Sequence, residues 1–242
     1  MDAIRSRAPW IFEPSPGAGD GSGTSVATDA VFPSVVAPFP ASRRLEPDLR
    51  ARLTALFLEG QEIWNRFETE VRQKEWHPFI HGNYERILDA LLAQMALGSE
   101  GPSAPRRFLE WGSATGVVTI MADMLGFDAY GIELDADLVE VARRLAERHD
   151  SQARFAAGSF LPEGYRWRPP DGDGRSGTLG DGRSAYPELG HGLDTFDLVY
   201  GYPWDGEAAL MTDLMERSGG PGARLLMHGG AGKIRIFERG RP

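Results

Sequence analysis

The stretch Phe108-Leu-Glu-Trp-Gly-Ser-Ala-Thr-Gly116 decides the fold of this chain. An apolar run typical of a buried strand leads into two glycines, and a helical pattern follows at 117–125. Glycine permits a sharp turn and close approach to a ligand, and the N–H groups at a helix start can hold an anion. Glu133 ends a second apolar strand, where a carboxylate can bind the hydroxyls of a ribose. This order predicts a pocket for an adenosine-bearing cofactor.

The chain around this stretch alternates strand and helix patterns, which indicates an α/β fold with a Rossmann-like, mostly parallel sheet and helices on both faces. The predicted strands are 107–111, 129–133, 153–157, 195–200, 224–228 and 234–237. The predicted helices of this part are 117–125, 136–149 and 207–217.

The chain divides into three predicted parts. Residues 1–43 are rich in Pro, Gly and Ser without periodicity and are predicted to be a disordered tail. Residues 44–98 are predicted to be a helical extension with helices at 45–75 and 84–97, the first with a candidate break at Gly60. Residues 99–242 form the cofactor domain, with a predicted flexible insertion at 162–193. Within it Asp171-Gly-Asp-Gly resembles a calcium loop, but Gly182 stands where such a loop needs its Glu.

Composition excludes several classes of site. The net charge of −9 argues against a nucleic-acid or anionic-membrane surface, because such surfaces need a basic field. The absence of Cys removes disulfides and thiolate chemistry, and the five His are too scattered for a metal site. No apolar run reaches the roughly 20 residues of a membrane span, so we expect a soluble cytoplasmic protein without membrane contact.

The residues of the turn distinguish two classes of cofactor. A dinucleotide site requires G-x-G-x-x-G, whereas here the glycines stand four apart and Glu110 precedes them. A carboxylate at that position would repel a pyrophosphate, which also speaks against a nicotinamide-dependent oxidoreductase. The same carboxylate suits a ligand that carries an ammonium group. The turn therefore favours S-adenosylmethionine, whose methionine end is zwitterionic and whose sulfonium is cationic.

The segment Glu110-Trp-Gly-Ser-Ala-Thr-Gly116 resembles the first motif of the class I S-adenosylmethionine-dependent methyltransferases, an acid followed by G-x-G-x-G. The resemblance extends over residues 84 to 237. It implies that Glu110 lies near the cofactor's amino group, that Gly112 to Gly116 enclose the methionine and adenosine, and that Glu133 binds the ribose. The cofactor residues that it implies are Glu110, Gly112, Ser113, Ala114, Gly116, Glu133, Ser159 and Phe160.

Three of these positions have a plainer reading. Ala114 replaces the middle glycine of the family, and its methyl could narrow the pocket. Ser159, where the family often has an Asp facing adenine, could instead cap a turn. Phe160 could flank the adenine ring or belong to the core.

The resemblance places the acceptor beside the loop after the fourth strand, Val199-Tyr-Gly-Tyr-Pro-Trp-Asp205. Aromatic rings attract a sulfonium by cation–π interaction, although Trp204 and one Tyr could also simply pack a loop. An Asn or Asp before Pro-Pro, which amino-group methyltransferases often carry, is missing here. The candidate catalytic residues are Tyr200, Tyr202, Trp204 and His81, the last as a base or a helix cap.

The chain is thus predicted to be an S-adenosylmethionine-dependent methyltransferase whose acceptor is a small molecule or, second, a protein. The alternative is a cofactor-binding regulatory or scaffolding module without transfer activity, suggested by Ala114 and a shortened C-terminal end. After the fifth strand too few residues remain for the family's terminal hairpin and helix, so the N-terminal helices are expected to cover the substrate. The oligomeric state stays open.

Overall fold

The computed structural model describes residues 45–70, 82–97, 105–167, 182–204, 206–229 and 233–240. Six strands form one sheet in the order β3-β2-β1-β4-β5-β6. They are β1 Arg107–Trp111, β2 Asp128–Glu133, β3 Arg154–Ala157, β4 Leu198–Gly201, β5 Arg224–His228 and β6 Ile234–Glu238. All neighbouring pairs are parallel except β5 and β6, which are antiparallel. The predicted α/β class with a mostly parallel sheet is confirmed.

The helices cover both faces of this sheet. They are α1 Pro47–Glu70, α2 Tyr84–Leu97, α3 Val117–Met124, α4 Ala136–Arg148, α5 Tyr186–Leu189 and α6 Glu207–Ser218. Because successive strand residues point to opposite faces, each strand contributes to two cores. In β1, Phe108 belongs to the core under α1 to α4, whereas Leu109 and Trp111 belong to the core under α5 and α6.

Gly60 does not interrupt α1, which corrects the predicted break. A Cβ at Gly60 would lie 2.6 Å from Val117 Cγ2, so the glycine lets α1 pass close to the start of α3. The glycine is thus used for close packing of two helices, at a helix-propensity cost of about 1 kcal/mol relative to Ala.

The C-terminal end of the predicted insertion 162–193 carries regular structure among the described residues. Residues 182–193 contain α5 and a parallel bridge between Ser184 and Ser159, and the hydroxyl of Tyr186 accepts a hydrogen bond from Trp111 Nε1 at 3.0 Å. A short 3-10 helix follows at Leu193–Thr195, so β4 begins at Leu198 and not at Thr195. The predicted tail 1–43 and residues 168–181 lie outside the described residues.

Candidate active site

The turn after β1 lies at the point where the sheet order reverses, since β1 has β2 on one side and β4 on the other. Gly112, Ala114 and Gly116 all have positive φ, at 69°, 45° and 78°. Ser113 N–H donates to Ile132 O at 2.9 Å, and Gly116 N–H donates to Ser113 O at 2.7 Å. The backbone is therefore folded into a compact loop at the carboxyl edge of the sheet, where ligands bind in open α/β folds.

The two glycines of the turn have different surroundings. A Cβ at Gly112 would meet nothing within 4 Å, so this residue faces open space. A Cβ at Gly116 would lie 2.7 Å from the Phe155 ring and 2.8 Å from Ala142 Cβ. Gly112 thus leaves room for a ligand, whereas Gly116 lets α3 pack closely against β3 and α4.

Glu110 is 5% exposed and lies on the sheet face that α1 to α4 cover. Its Oε2 accepts hydrogen bonds from Thr119 Oγ1 at 2.6 Å and from Thr119 N–H at 2.9 Å. Its Oε1 accepts no hydrogen bond from any residue that the structure describes. Burial raises the pKa of Glu110 to about 8, against the opposing effect of Thr119. A cation beside Glu110 would reverse this effect, because opposite charge favours the ionised carboxyl.

Glu110 lines a small cavity that is partly open to solvent. The turn supplies one wall, Ile87 and Tyr84 of α2 a second, and Tyr200 and Tyr202 of the β4 end a third. Of the predicted site residues, the cavity brings together Glu110, Gly112, Ser113, Ala114, Tyr200 and Tyr202. Gly116, Glu133, Ser159, Phe160 and Trp204 do not line it.

Ser113 Oγ is buried and has no hydrogen-bond partner among the described residues. It lies against β2, because a Cβ at Gly131 would be 2.8 Å from it. The free oxygen of Glu110 and the open space at Gly112 are therefore the features of this wall that fit a ligand with a cationic end.

Glu133 sits at the end of β2 and holds the turn from the other side. Its Oε2 accepts from Ala114 N–H at 2.9 Å and its Oε1 from Asp135 N–H at 3.0 Å. Burial raises the pKa of Glu133, and these donors oppose the rise. Each oxygen keeps a second lone pair, so ribose hydroxyls could still donate to it.

The side chains of Ser159 and Phe160 both contact other residues of the chain. Ser159 Oγ accepts from Leu161 N–H at 3.2 Å, which is the turn-capping contact. The Phe160 ring is 9% exposed and stacks on Trp111 with centroids 5.2 Å apart. The structure places Phe160 in the core under α5 and α6, and the roles of both residues toward adenine stay predictions.

Of the three aromatic residues at the end of β4, Tyr200 and Tyr202 line the cavity, whereas Trp204 lies at the start of α6. Tyr200 is opposite Glu110 in the sheet register, so both side chains lie on the same face, and burial with the nearby Glu110 raises the pKa of Tyr200. Tyr202 stacks on His228 with centroids 4.5 Å apart. Trp204 N–H donates to Glu207 Oε2 at 2.9 Å and Glu207 N–H donates to Trp204 O at 2.9 Å, a reciprocal cap at the start of α6. The backbone of Trp204 therefore serves loop packing.

Sequence reasoning missed two residues near the site. His228 ends β5, and its Nε2 is buried with no partner in the described part of the chain, while burial lowers the pKa of its imidazole. Leu134 follows Glu133 and is 42% exposed, next to Gly182, where a Cβ would lie within contact of Leu134 Cδ1. Position at the carboxyl edge of a strand was the signal that could have found both.

His81 lies outside the described residues. Among the residues that the structure does describe, no group of three or more His, Asp or Glu is placed to hold a metal ion. None of the described helices is long and apolar enough to cross a membrane.

No protein-family model and no curated protein matches this chain. Several solved structures are similar to it. An RNA methyltransferase from Salinibacter ruber in complex with S-adenosyl-L-homocysteine has a TM-score of 0.46 and 14% identity, over 69% of this chain and 95% of that chain. A SAM-dependent methyltransferase from Thiobacillus denitrificans, also with S-adenosyl-L-homocysteine, has a TM-score of 0.39 and 23% identity, over 68% of this chain and 54% of that chain. At this level of likeness, only the residues of the site can indicate what the chain does.

Proposed function

We propose that this chain binds S-adenosylmethionine in the cavity beside Glu110 and transfers its methyl group to a small-molecule acceptor. The observation that carries the proposal is Glu110, a buried carboxyl with a free oxygen, in a cavity that opens at Gly112. The free oxygen of this buried carboxyl has no donor, and a cationic group of the ligand would supply both a donor and an opposite charge.

Different residues of the site would bind different parts of the cofactor. Glu110 would hold the ammonium group of the methionine end. Tyr200 and Tyr202 would face the sulfonium, at about 0.5 to 2 kcal/mol for each cation–π contact. Glu133 would take the ribose hydroxyls with its remaining lone pairs. When bound, this cofactor supplies an electrophilic methyl group.

The chain itself would contribute positioning and exclusion of water. Tyr84 and Ile87 of α2 close the cavity on the side opposite the turn, and both are buried. Methyl transfer depends mainly on the alignment of nucleophile and methyl group, so it needs no obligatory catalytic side chain. A dinucleotide fits less well, because the glycines of the turn stand four apart and do not form the G-x-G-x-x-G pattern of a pyrophosphate site.

The acceptor is proposed from charge and from the loop after β4. A net charge of −9 favours a small molecule over a nucleic acid, with a protein acceptor as the second choice. The described part of this loop, 201–204, carries no amide or carboxylate side chain that could bind an acceptor amino group. A cytoplasmic location stays a prediction.

A second candidate function is a cofactor-binding regulatory or scaffolding module without transfer activity. Ala114 favours it, because the methyl lies in the cofactor turn and lines the cavity. The test is incubation of the chain with methyl-labelled S-adenosylmethionine and fractionated small-molecule and protein pools. Labelled product that disappears in a Tyr202→Ala variant supports the enzyme. Cofactor binding without label in any fraction supports the module.

A further inference from the structure

Ala114 joins three parts of the molecule. Its N–H donates to Glu133, its side chain lines the cavity, and it packs in a small cluster with Phe67, Trp64 and Leu138. Its φ of 45° lies in the left-handed region, which costs a non-glycine residue roughly 1 to 2 kcal/mol. A glycine would avoid this cost, so the surroundings must hold Ala114 in place.

Helix α1 supplies those surroundings. Phe67, near the end of α1, is 1% exposed and packs with Leu138 at the start of α4 in the cluster against which Ala114 also packs. Eight residues before Phe67 in α1, Glu59 Oε2 lies 2.8 Å from His149 Nε2, at the C-terminal end of α4. Helix α1 therefore runs antiparallel to α4 and reaches the cofactor turn with its last turns.

We propose that Phe67 is a positioning residue for the cofactor: through the methyl of Ala114, helix α1 holds the turn that binds the methionine end. The inference rests on the proposed function for the identity of the ligand. It explains the departure from glycine at this position, because a glycine would offer the cluster of Phe67 and Leu138 no methyl to pack against. Docking of α1 and binding of the cofactor are then coupled through a single residue.

The test is a double-mutant cycle measured by calorimetry with S-adenosylhomocysteine. Phe67→Ala should raise the Kd about tenfold in the unchanged chain, but less than about threefold when Ala114→Gly is also present. An equal fold-change in both backgrounds would overturn the coupling. If Phe67 has only a structural role, Phe67→Ala would change the Kd by the same factor with Ala or Gly at position 114.

Leu53→Ala is the matched control, because Leu53 is a buried α1 residue that packs in the main core and not in the Ala114 cluster. Its effect on the Kd should be the same with Ala or Gly at position 114. If Phe67→Ala does not fold, Phe67→Leu replaces it in the cycle, with a smaller effect in the same direction.

Hydrogen exchange separates this inference from the proposed function. In ligand-free protein, Ala114→Gly should speed exchange of the amides of Trp64–Glu68 and leave those of Leu53–Phe57 unchanged. Equal exchange in both segments would overturn the contact between α1 and the turn. Failure of the unchanged chain to bind S-adenosylhomocysteine would instead contradict the proposed function and leave the exchange result to decide the contact.

Discussion

Glu133 Oε2 accepts a hydrogen bond from Ala114 N–H at 2.9 Å, so the acid at the end of β2 holds the turn that follows β1. The same carboxylate binds Asp135 N–H through its other oxygen. Glu133 thus has a structural contact on each oxygen before any ligand arrives. Its removal is expected to affect the protein and the cofactor separately.

We expect Glu133→Ala to lower the free energy of unfolding by about 1 to 3 kcal/mol, because two backbone donors lose their acceptor. It should also weaken S-adenosylmethionine binding about tenfold or more, since hydrogen bonds to a charged group contribute roughly 1.5 to 3 kcal/mol. Urea denaturation and calorimetry measure the two effects. Glu140→Ala removes an exposed carboxylate from α4 together with its surface ion pair to Arg144, so it should lower stability by less than about 1 kcal/mol and leave cofactor binding unchanged. Unchanged cofactor affinity in Glu133→Ala would remove the ribose assignment.

Gly112 and Gly116 should respond differently to the same substitution. Gly112→Ala adds strain of roughly 1 to 2 kcal/mol, and its methyl enters the space meant for the ligand, so the cofactor Kd should rise with modest loss of stability. Gly116→Ala forces a methyl against Phe155 and Ala142, so stability should fall more than in Gly112→Ala. Thermal unfolding and calorimetry compare them. A larger loss of stability in Gly112→Ala than in Gly116→Ala would show that Gly112, and not Gly116, is the glycine packed against the core.

Glu110 predicts a pH dependence of stability. Its folded pKa of about 8 is above its ordinary value of 4.5, so between these values the native state retains a proton that the unfolded state releases. Stability should therefore fall as pH rises from about 4.5 to 8 and then level off. Glu110→Gln should flatten this slope, as urea titrations at several pH values would show. A slope that survives the substitution would assign the titration to another group.

Glu110 also predicts proton release when the cofactor binds. An ammonium group beside the carboxyl favours its ionised form, so near pH 7 binding should expel a proton from Glu110. Calorimetry in buffers of different ionisation enthalpy measures the number released. The number should be lower in Glu110→Gln, and no change between the two proteins would contradict the contact.

Tyr202 should distinguish the charged cofactor from its neutral product. Tyr202→Ala removes a ring from the cavity wall and should weaken S-adenosylmethionine more than S-adenosylhomocysteine, by about two- to thirtyfold. Tyr202→Phe keeps the ring stacked on His228 and should bind both ligands as before. Tyr165→Ala, which truncates an aromatic residue packed in the other core, should not discriminate between the ligands. Equal weakening of both ligands by Tyr202→Ala would place its ring away from the sulfonium.

The sequence predicted most strands and helices because glycine turns and apolar periodicity mark their ends. Predicted strands 107–111 and 224–228 and helix 84–97 have the observed bounds. The antiparallel direction of β6 depends on its pairing with β5, which no local pattern encodes. Gly60 was taken for a helix break because the approach of Val117 is a tertiary contact.

The site was predictable where backbone conformation or charge decided the residue. Gly112 and Glu110 are unusual residues for the end of a buried strand, and the structure brings both to the cavity. Phe160 was ambiguous, because an apolar ring serves a core and a ligand equally well, and only its stacking on Trp111 shows where it packs. The cluster of Phe67 and Leu138, against which Ala114 packs, joins residues far apart in the chain and has no local signature.

Calorimetry of the unchanged chain with S-adenosylmethionine, S-adenosylhomocysteine and NAD tests the central claim most directly. We predict saturable binding of the first two ligands, with one site per chain, and no heat of binding for NAD, because the turn lacks the G-x-G-x-x-G spacing that a pyrophosphate requires. Tight binding of NAD with no response to the other two ligands would contradict the proposed cofactor and with it the proposed function.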